Sequence, residues 1–131
     1  MAWAVAAALA ATAVTQAASA CPQFPAPSRN GIYAGAALAD NWGASGPRVV
    51  WRKQVGQGFA GPAVVGNRVI LFHRIGNEEV LESLDAATGN STWRYAYPTR
   101  YRDDFGFDEG PRAVPVVADG VIYTVGAEGQ L

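Results

Sequence analysis

Acidic side chains are concentrated between residues 98 and 110, and they are the first candidates for chemistry in this chain. Carboxylate oxygens are ligands that Ca²⁺ prefers in proteins, and loops grown on a rigid scaffold often hold binding residues. The spacing does not match the EF-hand calcium loop, and loops of mixed charge are usually just solvated. We therefore favour a solvated loop over a metal site. The acidic residues are Asp103, Asp104, Asp108 and Glu109.

The remaining residue types offer no recognisable catalytic set. His73 is the only histidine and Cys21 the only cysteine, so neither a zinc site nor an internal disulfide can be assembled from them. No Ser-His-Asp arrangement emerges, and a lone histidine between apolar strands is more often a packed one. The glycine-rich run at 56–61 precedes a predicted strand rather than a helix, which argues against a dinucleotide site. A net charge of −1 argues against nucleic acid as a partner.

Short apolar segments separated by turn residues must position these side chains. With 15 Gly and 8 Pro in 131 residues, the composition favours many short strands and turns over long helices. The pair Gly66-Asn67 is a two-residue hairpin signal. Several strands are apolar on both faces, which predicts that both faces are covered. The predicted strands are Val49–Val55, Pro62–Val65, Arg68–Arg74, Glu79–Asp85 and Thr92–Tyr97.

The second half of the chain repeats the first. Trp51-Arg52 recurs as Trp93-Arg94, at a spacing within the roughly 40–45 residues of a four-stranded propeller blade. The segment 62–70 recurs at 115–122, with one residue fewer in its predicted turn. Four antiparallel strands joined by short turns make one such blade. We therefore predict an all-β chain, a partial β-propeller with one full blade and part of a second.

The hairpin from Val80 to Trp93 carries the most specific pattern. Its residues resemble the repeat of PQQ-like (quinoprotein-type) β-propellers, A-x-D-x-x-T-G-K-x-x-W, with Ser83 in place of the Ala and Asn90 in place of the Lys. The resemblance implies that the tryptophan docks between adjacent blades and that the Asp and Thr-Gly hold the turn beneath it, which is a structural role. The matching positions are Asp85, Thr88, Gly89 and Trp93, and Trp51 is the equivalent tryptophan one repeat earlier.

The first 20 residues are predicted to form a helical signal peptide. They carry no charge, are mostly alanine and end in Ala18-Ser19-Ala20, an A-x-A cleavage site. A membrane anchor and a buried helix stay open as alternatives, although the apolar run is short of the roughly 20 residues that a membrane span needs. We therefore expect an exported protein, periplasmic or extracellular, without a membrane span. Cys21 follows the cleavage site directly, so a lipid anchor on Cys21 is a further alternative.

The predicted signal peptide is followed by an irregular lead-in at 21–47 and by truncated repeats at 48–131, so we expect an N-terminal fragment of a longer propeller. The resemblance implies the fold more firmly than the function. We favour a secreted, non-catalytic binding or scaffold module with a protein or small-molecule ligand on the propeller face. The alternative is an exported PQQ-dependent alcohol or sugar dehydrogenase, with PQQ and Ca²⁺ held mostly by missing blades.

One more residue depends on the resemblance. The motif Gly110-Pro111-Arg112-Ala113-Val114-Pro115 resembles the G-P-R-A-x-P opening of a blade. This would put Arg112 at the start of an innermost strand, near the central channel of the ring. There Arg112 would pair with an anion or with a carboxylate on another blade. We favour the structural ion pair over ligand binding.

Overall fold

Residues 21–32 and 37–131 are described by a computed structural model, and the regular structure within them is entirely β-strand. The all-β prediction is therefore confirmed for these residues. The predicted signal peptide at 1–20 lies outside them. The strands are β1 (Ala63–Val65), β2 (Arg68–Ile75), β3 (Glu78–Asp85), β4 (Ser91–Pro98), β5 (Val116–Ala118) and β6 (Val121–Tyr123).

Strands β1 to β4 form one antiparallel sheet in which sequence neighbours are also spatial neighbours. The register places Phe72 opposite Leu81 and Leu81 opposite Tyr95. Two-residue turns join β1 to β2 and β2 to β3, and a longer turn joins β3 to β4. A bulge between Ser83 and Leu84 shifts the register just before that longer turn. The predicted four-stranded antiparallel unit is thus present.

Strands β5 and β6 form a second hairpin that matches the first position for position. Val116 pairs with Tyr123, as Ala63 pairs with Ile70. Both turns have two residues, so the prediction of a shorter second turn is wrong. The two hairpins thus have turns of the same length but of different backbone conformation. Gly66 alone has positive φ in the first turn, whereas Asp119 and Gly120 both have positive φ, as a type I′ turn requires.

The predicted strand Val49–Val55 is also wrong, because these residues form no strand. Val50 and Val55 are 62% and 53% exposed. The segment first meets the sheet at Gln57, which exchanges backbone hydrogen bonds of 2.9 and 2.8 Å with Arg74. A segment of high strand propensity forms a strand only when a neighbouring backbone pairs with it, and no backbone among the described residues pairs with 49–55.

The register divides the sheet into two faces, because side chains alternate along a strand. We call one the His73 face and the other the Phe72 face. Residues 53–57 lie on the first, and residues 122–127 lie on the second. Side chains of β2 and β3 are buried on both faces, so the predicted two-sided cover is confirmed for these two strands, whereas β4 is mostly exposed. The His73 face includes Leu71, His73, Val80 and Glu82, and the Phe72 face includes Ile70, Phe72, Arg74, Glu79 and Ser83.

The start of the lead-in ties the two hairpins together. Cys21 exchanges backbone hydrogen bonds of 2.8 and 2.9 Å with Val64 in β1. The carbonyl of Pro22 accepts a 2.8 Å bond from the amide of Val117 in β5. These two residues therefore close the gap between β1 and β5. The rest of the described lead-in contains turns and bends but no strand.

Candidate functional site

The turn between β3 and β4 is built around the carboxylate of Asp85. One oxygen, Oδ1, accepts hydrogen bonds from the Thr88 hydroxyl at 2.9 Å and from the amides of Thr88 and Ala87 at 2.8 and 3.0 Å. The other, Oδ2, accepts from the Asn67 side chain at 3.2 Å. Hydrogen bonds from Thr88 hold the pKa of Asp85 below its ordinary value, because they stabilise the ionised form. The turn is thus preformed by local polar contacts.

Trp51 lies against this turn. A Cβ added to Gly89 would be only 2.7 Å from Cδ2 of the indole, so the ring rests directly on the glycine backbone. Gly89 has a φ of +73°, which glycine adopts without steric cost. The indole Nε1–H also donates a 2.9 Å hydrogen bond to the carbonyl of Ala86. Both the flat contact and the hydrogen bond depend on the Asp85 turn having this shape.

Trp93 has a different environment. It lies in β4 opposite Ser83, on the Phe72 face, and is half-buried. Trp51 lies outside the named strands of the described residues, whereas Trp93 lies within one. The described residues contain one four-stranded sheet, so they do not test whether the two tryptophans are equivalent in successive repeats, and that equivalence stays a prediction.

The acidic stretch forms a compact loop around Asp103. Its Oδ2 accepts hydrogen bonds from the amides of Phe107 at 2.6 Å and Asp108 at 3.4 Å. These bonds, with that of Phe107 foremost, hold the pKa of Asp103 below its ordinary value. Asp108 accepts from the amide of Gly110 at 2.7 Å, whereas Asp104 is exposed. Two of the predicted carboxylates therefore hold the backbone of their own loop.

Arg112 closes the same loop. Its guanidinium is 3.5 Å from Oδ1 of Asp103 and donates to the carbonyls of Asp108 and Gly110 at 3.2 and 3.3 Å. It also lies over the ring of Tyr101, 5.1 Å from the centroid. A structural ion pair is found, but its carboxylate belongs to the same loop and not to another blade.

Arg74 is a residue that the sequence analysis missed. Only 2% of it is exposed, although it is charged. Its guanidinium donates to the carbonyls of Gly76 and Tyr101 at 2.8 Å and of Glu109 at 3.0 Å. Arg74 thus fastens both ends of the acidic loop to the sheet. The sequence signal that could have identified Arg74 is an arginine at the end of a predicted strand that is mostly apolar between its ends.

The His73 face carries a second polar cluster. The amide of Gly56 donates a 2.9 Å hydrogen bond to Nδ1 of His73. Nε2 of His73 is 3.8 Å from Oε2 of Glu82, and the ammonium of Lys53 is 3.2 Å from Oε1 of the same carboxylate. Burial lowers the pKa of His73, so the imidazole is neutral at pH 7.

A third cluster lies on the Phe72 face. The buried carboxylate of Glu79 accepts hydrogen bonds from the Tyr97 hydroxyl at 2.6 Å and from the Ala127 amide at 2.7 Å. Burial, and then the hydrogen bond to Glu79, raises the pKa of the Tyr97 phenol. An open groove of about 470 Å³ lies beside this pair. It is lined mainly by Leu81, Tyr95, Tyr97, Ile122, Thr124 and Leu131.

Two absences among residues 21–32 and 37–131 bear on the predicted site. Within these residues, no three or more His, Cys, Asp or Glu side chains are grouped so that they could hold a metal ion. Over the same stretches, no helix has the length and apolar character needed to cross a bilayer. Comparison of the chain with protein-family models, with curated proteins and with solved structures gives no match.

Proposed function

We propose that this chain is part of an exported β-propeller of PQQ-like repeats that serves as a non-catalytic binding or scaffold module. The observation that carries the proposal is the contact of Trp51 with the Asp85 turn. An indole from outside the four-stranded sheet rests on Gly89 and bonds to Ala86. In the PQQ-like propellers that the sequence resembles, a tryptophan docks between adjacent blades and the Asp and Thr-Gly hold the turn beneath it, and the contact of Trp51 is of this kind.

The cover on both sheet faces supports the same proposal. Residues 53–57 pack on one face of the central strands β2 and β3, and residues 122–127 pack on the other. A single sheet of an antiparallel protein commonly leaves one face in water. A blade in a ring is instead covered by a neighbour on each side.

The polar contacts favour a non-catalytic role. Asp103, Asp108 and Arg112 bind one another and their own loop backbone, and Arg74 fastens that loop to the sheet. The acidic loop is therefore held in one shape, as a binding surface requires. Its tip presents Phe105 and Phe107, which are 83% and 80% exposed and stack with centroids 6.5 Å apart. Apolar side chains of this size are common anchors in protein interfaces.

The function is tested by two measurements on the full chain. Cell fractionation after expression in a bacterium should find the chain in the periplasm or medium, with its new N-terminus following Ala20 by mass spectrometry. Incubation with PQQ and Ca²⁺ should give neither PQQ retention on dialysis nor dye reduction with alcohols or sugars. Cytoplasmic retention would refute export, and cofactor-dependent dye reduction would replace the scaffold proposal with the dehydrogenase.

A further inference from the structure

The histidine on the sheet has its two ring nitrogens in unlike surroundings. His73 is 3% exposed, and Nδ1 accepts a hydrogen bond from the Gly56 amide. An accepting nitrogen carries no proton, so the single proton of the neutral ring is on Nε2. Nε2 is buried and has no hydrogen-bond partner among the described residues. The neutral ring therefore has a hydrogen bond at Nδ1 and an N–H donor without an acceptor at Nε2.

Protonation would add the second proton at Nδ1. There it would meet the amide proton of Gly56, so that two donors would face each other and the 2.9 Å bond would be lost. The imidazolium would at the same time attract Glu82, whose Oε2 is 3.8 Å from Nε2. A carboxylate drawn toward His73 is drawn away from Lys53, to which it now bonds at 3.2 Å. Both contacts that hold residues 53–56 on the His73 face would weaken together.

Burial of the ring sets the direction of this response, and the charged groups around the ring modify it. Glu82 on β3 favours the imidazolium, whereas Lys53 of the covering segment and Arg94 on β4 oppose it. Burial opposes it most strongly, and the pKa of His73 is accordingly below its ordinary value. The unfolded or released form binds the proton more readily than the packed form. Acid therefore favours release, and neutral pH favours the closed arrangement.

We propose that His73 is an acid-sensitive latch, which holds residues 53–56 against the sheet at neutral pH and releases them when the ring is protonated. The segment is anchored at both ends by contacts that do not involve the ring. Trp51 bonds to Ala86, and the backbone of Gln57 pairs with that of Arg74. The latch thus opens a short stretch between two fixed points and exposes the buried side chains of His73 and Glu82 to solvent.

The test is amide hydrogen exchange of the ¹⁵N-labelled full chain between about pH 7.5 and pH 4.5, a range that spans the titration of histidine. We expect the protection factor of the Gly56 amide to fall by at least about tenfold, with the same midpoint as the imidazole signals of His73. The amide of Arg74, bonded to the carbonyl of Gln57, should keep its protection through that step. A Gly56 amide that stays protected while His73 titrates would refute the latch, as would a ring that does not titrate in this range.

Two variants separate the ring from other acid effects. His73→Asn keeps an acceptor near the position of Nδ1 and cannot titrate, so the Gly56 amide should stay protected throughout. Loss of protection in this variant equal to that in the wild type would overturn the proposal. Lys53→Met removes a positive charge that opposes protonation, so the midpoint should move to higher pH, and an unchanged or lower midpoint would count against the latch. If His73→Asn does not fold, the proposal is decided in the wild type by whether the midpoint of Gly56 amide protection equals the midpoint of the His73 imidazole signals.

Discussion

Replacing Gly89 by alanine should disturb the docking of Trp51 more than any other alanine substitution in a turn of the sheet. The new Cβ would lie 2.7 Å from Cδ2 and 2.8 Å from Cε3 of the indole, closer than such atoms can approach. The indole must therefore move off the turn. The matched control is Gly66→Ala, because Gly66 also has positive φ, +58° against +73°, but has nothing within 4 Å of the new Cβ.

The expected magnitudes follow from this pair. The left-handed backbone costs an alanine about 1–2 kcal/mol, which both variants should lose from the free energy of unfolding. Gly89→Ala should lose about 0.5–1.5 kcal/mol more for the hydrogen bond from Trp51 to Ala86, together with the packing of the displaced ring. Urea unfolding followed by circular dichroism and tryptophan fluorescence measures both variants.

A double-mutant cycle with Trp51→Ala makes the test sharper. Without the indole, Gly89→Ala should lower the free energy of unfolding only by the backbone strain, and this loss should equal that of Gly66→Ala. The coupling between the two positions should exceed the roughly 0.3–0.5 kcal/mol within which independent sites add. Equal losses in the two glycine variants, or a coupling within that range, would show that the contact of indole and glycine contributes nothing to stability.

Three further predictions concern the rest of the fold. Arg74→Lys should lower the free energy of unfolding by about 1–3 kcal/mol, because the three carbonyls are bonded by two separate guanidinium nitrogens, Nε and Nη1, and lysine has only one nitrogen. The exposed Arg68→Lys on the same strand should change it by under about 0.5 kcal/mol. Equal effects of the two substitutions in urea unfolding would contradict the role of Arg74. Glu128 has a lowered pKa like Asp85 and Asp103, because its Oε2 accepts hydrogen bonds from the Arg100 amide at 3.1 Å and the Thr99 hydroxyl at 2.9 Å. The stability that these three carboxylates contribute is full above their ordinary pKa values and is lost as pH falls toward the lower folded values. The melting temperature should therefore fall below about pH 4.5, and Asp85→Asn should remove part of that pH dependence. Replacing both Phe105 and Phe107 by serine should change the free energy of unfolding by under about 0.5 kcal/mol, because both rings are exposed, but it should reduce binding of a hydrophobic dye. A large drop in melting temperature would show that these rings pack against the fold instead of facing solvent.

The parts of the fold predicted correctly depend on contacts between near neighbours. Asp85 meets Thr88 three residues away, and Gly66-Asn67 closes a two-residue hairpin. Turn chemistry of this kind is decided by a few adjacent side chains, so it can be inferred from the order of residues. The strand prediction for residues 49–55 was wrong for the opposite reason. Its β-branched residues favour a strand, but a strand also needs a partner that the residue order does not reveal.

The same distinction applies to the candidate sites. The order of residues determined that the chain is built from short antiparallel strands and that Asp85, Thr88 and Gly89 share one turn. Tertiary structure decided which distant groups meet: Arg74 reaches carbonyls 27 and 35 residues further on, and Gly56 reaches His73 17 residues away. Such pairings depend on how the sheet and its covering segments pack, because a buried guanidinium or imidazole must find its hydrogen bonds among whatever groups the fold brings to it.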